Sequence, residues 1–149
     1  MKLNFLQPAL VLVLSGAGLS SAGAVSLVPH RAVYDISLLK ANESASVADV
    51  NGRMVYELTG SECDGYAVNY RFVTRLGDKD GTAAVTDFRV ATFEEADGNS
   101  FSFTSSNFIN NNKVDEVQGF ASRDDDEISV ALTKPEEEVL TFPGTAIFP

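Results

Sequence analysis

The apolar side chains after residue 25 recur with the period of two that β-strands produce. The clearest segment is 66–76, where every second residue from Tyr66 to Leu76 is aliphatic, aromatic or threonine. The positions between them include Arg71 and Arg75. Because successive side chains of a strand point to opposite faces, this alternation predicts a strand with one face on a core and the arginines in water.

Several further segments show the same alternation or a weaker form of it: residues 31–39, 53–58, 82–93, 100–103, 113–121 and 127–133. Clusters of Asn, Asp and Gly separate them, at 51–52, 77–81, 97–99, 110–112 and 124–126. These residue types accept the backbone angles of tight turns. Short strands with closely spaced turn signals favour hairpins joined into an antiparallel meander, because parallel strands need long crossover connections. Residues 42–49 fit either a loop or a strand.

The predicted fold class is therefore all-β, with a strongly curved antiparallel sheet. No segment after residue 25 has a sustained helical period. No later segment pairs obviously with 31–39, so we expect an open sheet with an exposed edge. The run 139–149 is apolar up to its last residue. These two features predict that the chain is part of a larger β-structure.

The amino-terminal residues have the three parts of a secretory signal. A basic start at Lys2 is followed by an apolar run over residues 5–14 and by small residues that end at Ala24. The apolar run is shorter than the ~20 residues of a membrane span. We expect residues 1–24 to be a signal peptide cleaved after Ala24, and residues 25–149 to be a β-rich domain exported to the periplasm.

Composition adds a strong negative charge and a single thiol. The formal net charge of −10 disfavours nucleic acid as a partner, and no transmembrane segment is expected after signal removal. Cys63 is the only cysteine. In an oxidising compartment it has three interpretations: pairing with a cysteine outside this chain, pairing between two chains, or a buried free thiol.

Short motifs in a fixed order resemble a known family. They are VPHRAVYD at 28–35, NGRMVYE at 51–57, GSECDGY at 60–66, TFE at 92–94, and GT and FP at 144–149. The motif residues singled out are Pro29, His30, Arg31, Tyr34, Asp35, Gly52, Tyr56, Gly60, Asp64, Gly65 and Tyr66. Together these resemble the EipB family of periplasmic cell-envelope-integrity proteins of alphaproteobacteria.

The resemblance implies a β-spiral, in which long antiparallel strands curl into an open, barrel-like shape. It also implies a role in envelope integrity, without an established catalytic activity. Family members are longer than this chain and carry a second cysteine that forms a disulfide with the position of Cys63. The match covers the amino-terminal half of such a protein, so it implies an incomplete spiral and a disulfide partner absent from this chain.

Few residues suggest catalysis or metal binding. A nucleophilic pair of Cys63 and His30, the only histidine, is conceivable, but no orienting partner is evident. Asp78 and Asp80 resemble the start of a calcium loop, yet the twelfth position holds Arg89 in place of the required Glu. One histidine and one cysteine do not suffice for a zinc site. We predict no catalytic residue, no metal and no cofactor.

Three functional hypotheses follow. The preferred one is a non-enzymatic envelope-integrity protein that acts through contacts with a periplasmic protein partner. The second is a periplasmic carrier of an apolar ligand or lipid, and an envelope hydrolase is the least favoured. The carrier hypothesis depends on an aromatic stripe, which more often forms ordinary core. Its members are Tyr66, Tyr70, Phe72, Phe88, Phe101 and Phe103.

Overall fold

All regular structure in the computed structural model, which describes residues 26–148, is β-strand. The strands are β1 (His30–Ser37), β2 (Val47–Ser61), β3 (Gly65–Asp78), β4 (Ala83–Glu94), β5 (Ser100–Ile109), β6 (Asn112–Asp124), β7 (Glu127–Lys134) and β8 (Glu138–Pro143). They form one sheet in chain order, with each strand antiparallel to the next. Within the described residues β1 and β8 are its two edges and do not pair. The prediction of an open, all-β antiparallel sheet is confirmed.

The predicted strand segments and the observed strands agree except at one end of the chain. Every predicted segment falls within or largely overlaps one of β1 to β7, and β2, β5 and β6 are longer than expected. Strand β8 has no predicted counterpart, because its apolar residues are consecutive and do not alternate. The ambiguous segment 42–49 contains a turn and then the start of β2. The signal peptide predicted for residues 1–24 lies outside the described residues.

The turn predicted at 51–52 is wrong. Asn51 and Gly52 lie inside β2, which is continuous from Val47 to Ser61. Gly52 is paired with Thr74 of β3, and a Cβ atom there would lie 2.7 Å from the carbonyl oxygen of Val73. At this position glycine therefore allows two strands to approach closely, and it does not mark a turn.

The turn predicted at 110–112 is confirmed and forms the connection between β5 and β6. Asn110 and Asn111 have φ angles of 50° and 65°. Positive φ at both central residues is what a two-residue type I′ hairpin requires, and asparagine tolerates it better than most residues. The sequence therefore specifies this hairpin locally.

The cross-strand register divides the sheet into two chemically different faces. Apart from the residues at the register shifts near Val47, Phe108 and Gln118, we define the apolar face as the even-numbered residues of β1–β4, β7 and β8 and the odd-numbered residues of β5 and β6, because paired residues share a face. The opposite side is the charged face. It carries Arg31, Arg53, Arg71, Arg75 and Arg89, so both arginines of 66–76 lie on it, as the alternation predicts.

The apolar face is only partly covered. Within the described residues the buried hydrophobic side chains are Leu58, Phe101, Ala121 and Ile128. The last three form a cluster over β5–β7, against which the segment 146–148 folds back. Over the rest of the apolar face the sheet forms a single layer, and no second layer packs on it within residues 26–148.

One side chain anchors the segment that folds back. The ring of Phe148 stacks on Phe101, with 5.3 Å between centroids. The guanidinium of Arg123 lies 5.0 Å from the centre of the Phe148 ring, and it donates a hydrogen bond to the Gly144 carbonyl. These contacts hold the segment against the β5–β7 end of the apolar face.

On the charged face, ion pairs bind neighbouring strands together. Asp87 of β4 accepts two hydrogen bonds from Arg71 of β3, at 2.9 and 2.7 Å, and two from Arg89, at 3.1 and 2.6 Å. Its side chain is only 13% exposed. The hydrogen bonds from Arg71 and then from Arg89 hold the pKa of the Asp87 carboxyl well below its usual range.

The substitution Gly52→Ala should destabilise the sheet. Its Cβ atom would collide with backbone of β3, and we expect the free energy of unfolding to fall by about 1–3 kcal/mol in urea denaturation. Gly77→Ala is the matched control, because a Cβ atom there meets its nearest neighbour, Asp49 Cβ, at an ordinary 3.4 Å. Equal losses for the two variants would contradict the close-approach explanation.

The substitution Asp87→Asn should lower stability in a pH-dependent way. At pH 7 we expect the free energy of unfolding to fall by about 1–2 kcal/mol. The loss is modest because solvent screens the half-exposed arginines. The pKa of Asp87 is lower in the folded protein than its value of about 3.9 in the unfolded chain, so the ionised carboxylate stabilises the fold above that pH. This stabilisation is lost as the pH falls toward the folded-state pKa. The difference between wild type and variant should therefore shrink below about pH 4. A difference constant from pH 7 to pH 3 would disprove the assigned cause.

Candidate functional site

An open groove lies on the apolar face at its β4–β8 end. Its volume is about 500 Å³. Three of the lining residues form the buried cluster, and others come from β4, β5, β7, β8 and the segment that folds back. The lining residues are Val90, Thr92, Phe101, Phe103, Thr104, Ser105, Ala121, Ile128, Val130, Leu132, Leu140, Phe142, Ala146, Ile147 and Phe148. We call this site the apolar groove.

The chemistry of the apolar groove is that of a hydrocarbon surface. Thr92 and Ser105 are the lining residues that present a polar side chain on this face, since Thr104 borders the groove but has its side chain on the charged face. No ionisable side chain lines the groove. Phe142 is 44% exposed and Ile147 is 88% exposed. Concave apolar sites of this size bury small apolar molecules or apolar segments of other chains. The arrangement is suited to binding and offers no acid or base for proton transfer.

The other end of the apolar face is aromatic but more polar. All four tyrosines, which are Tyr34, Tyr56, Tyr66 and Tyr70, lie on this face in β1–β3. The Tyr66 hydroxyl accepts a hydrogen bond of 3.2 Å from the backbone N–H of Leu27.

The predicted aromatic stripe therefore lies on a single face. Tyr70 meets Phe88 edge to face at 6.1 Å, and Phe101 stacks on Phe103 at 5.9 Å. The ordinary-core interpretation applies only in part, because among the stripe residues Phe101 is buried whereas Phe88 remains 37% exposed.

The proposed nucleophilic pair is not assembled. Cys63 is an exposed free thiol in the turn between β2 and β3, so the interpretation as a buried thiol is wrong. The Nδ1 atom of His30 lies 2.8 Å from the carbonyl oxygen of Val28, and its ring lies 5.5 Å from that of Tyr56. Among the described residues, no hydrogen bond joins the thiol to the imidazole.

Several family-motif residues build the turn that carries Cys63. Gly60 and Gly65 flank it with φ angles of 115° and 85°, and a Cβ atom on Gly60 would lie 2.0 Å from the Gly65 carbonyl oxygen. Only glycine fits both requirements without strain. Asp64 closes the turn by accepting a hydrogen bond of 2.7 Å from the Ser61 hydroxyl.

The motif residues of β1 divide between the two faces. Tyr34 lies on the apolar face and is 51% exposed, whereas Pro29 precedes the strand. Asp35 lies on the charged face and accepts a hydrogen bond of 2.7 Å from Arg53, which lowers the pKa of the Asp35 carboxyl. Arg31 lies 4.0 Å from Glu57. These residues are therefore placed, but the structure does not gather them into one site.

The acidic turns contain no metal site. Within residues 26–148 no group of His, Cys, Asp and Glu side chains is arranged to hold an ion. Asp78 instead accepts hydrogen bonds from the backbone N–H groups of Asp80 and Thr82, at 3.0 and 2.8 Å. The carboxylate therefore stabilises its own turn.

Two features of the two faces could not be predicted from the sequence. The segment 146–148 lines the apolar groove, and no local pattern indicates where it folds back. The sharing of Asp87 by Arg71 and Arg89 depends on the strand register, although the alternation does place all three on one face. The only sequence signal is that oppositely charged residues recur on the same face of adjacent strands.

Comparison with known proteins identifies the family. Residues 21–149 match the family model described as EipB-like. The chain belongs to the EipB-like family. The resemblance inferred from the ordered motifs is therefore confirmed.

One sequence match and one solved structure, both from Brucella abortus, extend this result. Over 126 residues the chain is 46% identical to the cell envelope integrity protein EipB of strain 2308, covering 85% of this chain and 45% of that protein. A crystal structure of a β-barrel-like protein of a domain of unknown function, also from this species, has a TM-score of 0.76 and 46% identity, over 85% of this chain and 52% of that one. The chain thus spans about half the length of each of these matched chains.

These comparisons bear on the fold and on the class of protein. The β-barrel-like neighbour agrees with a long antiparallel sheet, here open. Neither relative is described by an enzymatic activity. Within the described range, no helix is long and apolar enough to cross a membrane.

Proposed function

We propose that this protein contributes to cell-envelope integrity as a non-enzymatic component of the periplasm that acts through protein contacts. The observation that carries the proposal is its 46% identity to a protein named for envelope integrity. Because the chain spans 45% of that relative, the role of the whole protein is part of the proposal.

The geometry supports contact surfaces rather than catalysis. The apolar face leaves several large side chains exposed, and such surfaces mark sites of interaction. The imidazole of His30 is engaged with the backbone of Val28. Cys63 lies exposed on a turn that its flanking residues build, which fits a structural disulfide with a cysteine outside this chain. The secretory pattern ending at Ala24 supports export to the periplasm.

The envelope role can be tested by deletion and complementation in the bacterium that encodes the protein. Loss of the gene should raise sensitivity to detergent, and the native gene should restore resistance. A gene carrying His30→Ala should restore it equally, and Cys63→Ser should do so once protein levels are matched. Unchanged sensitivity after deletion would refute the envelope role, and failure of both variants at normal levels would favour a hydrolase.

A second candidate function, the carrier of an apolar ligand, is favoured by the apolar groove. Its volume of about 500 Å³ and its hydrocarbon lining suit an acyl chain. Ile147 and Phe142 remain exposed at its margin, so a bound chain would remove further apolar surface from water.

A carrier should bind a fluorescent fatty acid, and Phe142→Ser should weaken that binding about threefold to thirtyfold, the range expected for losing part of one aromatic contact. Phe120→Ser is the matched control, because Phe120 is similarly exposed, 47% against 44%, but lies on the charged face. The protein is titrated with the fatty acid, and native mass spectrometry measures how much of it each variant binds. Wild-type protein that remains empty, or equal weakening in the two variants, would exclude the apolar groove as a carrier site.

A further inference from the structure

The charged face contains an unusual pair of like charges. Arg71 of β3 and Arg89 of β4 are directly paired in the cross-strand register, an arrangement that is normally unfavourable. Asp87 accepts hydrogen bonds from both, and a single carboxylate neutralises one of the two positive charges. The cluster therefore keeps an excess positive charge at a fixed place on the sheet.

Both guanidinium groups are held in position and yet remain accessible. Arg71 is held by its two hydrogen bonds to Asp87, and Arg89 also lies over the ring of Phe108, 4.6 Å from its centre. The side chains of Arg71 and Arg89 are 55% and 50% exposed. Each guanidinium has five N–H donors. Among residues 26–148 only Asp87 accepts from either of them, so donors remain available to a second anion.

These two arginines lie beside a recess that we call the trough. It has a volume of about 420 Å³. Its walls include the hydroxyl side chains of Thr104 and Ser106 and the amide of Asn69. A third arginine, Arg31, also lines it, and Glu57, the one carboxylate among the lining residues, lies 4.0 Å from Arg31. With Asp87 included, three arginines face two carboxylates, so the trough is locally positive in a chain of net charge −10.

We propose that the trough binds a phosphate group through the paired guanidinium groups of Arg71 and Arg89. Arginine forks bind oxyanions through charge-assisted hydrogen bonds. A phosphate group has acceptor oxygens on several sides, so it can engage both forks and the neighbouring hydroxyl and amide groups at once. The phosphate can belong to a soluble phosphate ester or to the head group of a phospholipid.

The competing explanation is that the arginines only tie strands together. Arg53 and Arg75 do this on the same face, each with one carboxylate, Asp35 at 2.7 Å and Asp49 at 3.0 Å. Neither lines the trough. They therefore provide matched controls that carry the same charge on the same face but lack the second arginine.

The test measures binding of two probes at constant ionic strength. Glycerol 3-phosphate is titrated into the ¹⁵N-labelled protein, and sedimentation is measured with phosphatidylcholine vesicles that contain or lack phosphatidylglycerol. We expect Arg71→Gln and Arg89→Gln to weaken binding about tenfold or more, the range for losing a charge-assisted hydrogen bond. Arg53→Gln should bind like wild type. Arg31→Gln extends the test, since it removes a trough charge without disturbing Asp87.

Each outcome decides the question. Binding of glycerol 3-phosphate that is lost in the trough variants supports a soluble phosphate ester as the ligand. Binding only to vesicles with phosphatidylglycerol, with the same losses, supports a phospholipid head group. If wild type binds neither probe, or if Arg53→Gln weakens binding as much as Arg89→Gln does, the proposal is overturned. Circular dichroism of each variant confirms that a loss of binding is not a loss of fold, and a lysine substitution at the same position replaces any glutamine variant that unfolds.

Discussion

Burial of apolar side chains on one face of a single sheet is the interaction on which this structure depends. The period of two along each strand places most of the large aliphatic and aromatic side chains of β1–β4 on one side. A sheet must cover such a face with a second layer to bury it. Within residues 26–148 a short segment near Phe148 covers the β5–β7 end of this face, and the buried hydrophobic set is small.

This partial cover explains where binding can occur. The stacking of Phe148 on Phe101 shields one end of the apolar face, and the apolar groove lies beside it. The tyrosines occupy the other end. The exposed apolar surface suits either an apolar ligand or a segment of another chain, and both proposed functions use it.

The charged face is held together by ion pairs. Strands β1–β4 are linked there by arginine–carboxylate pairs, most of which are exposed and weak. Asp87 is the exception, because it is shielded from solvent and joins two arginines. The carboxylate of Asp87 offsets part of the repulsion between Arg71 and Arg89, and N–H donors of both guanidinium groups remain accessible. A cluster that stabilises the sheet can therefore also serve as a site for a phosphate group.

Local patterns in the sequence determined the all-β class, the two-faced strands, the hairpin at Asn110-Asn111 and the membership of the EipB-like family. Each depends on side-chain alternation, on backbone preference at single residues or on short motifs. Only the tertiary structure decided that Gly52 lies inside a strand, that a final strand forms at Glu138–Pro143, and that Phe148 reaches Phe101. The sharing of Asp87 by two arginines belongs with these, because it depends on register between strands. Such contacts join residues distant in the chain, and no local period specifies them.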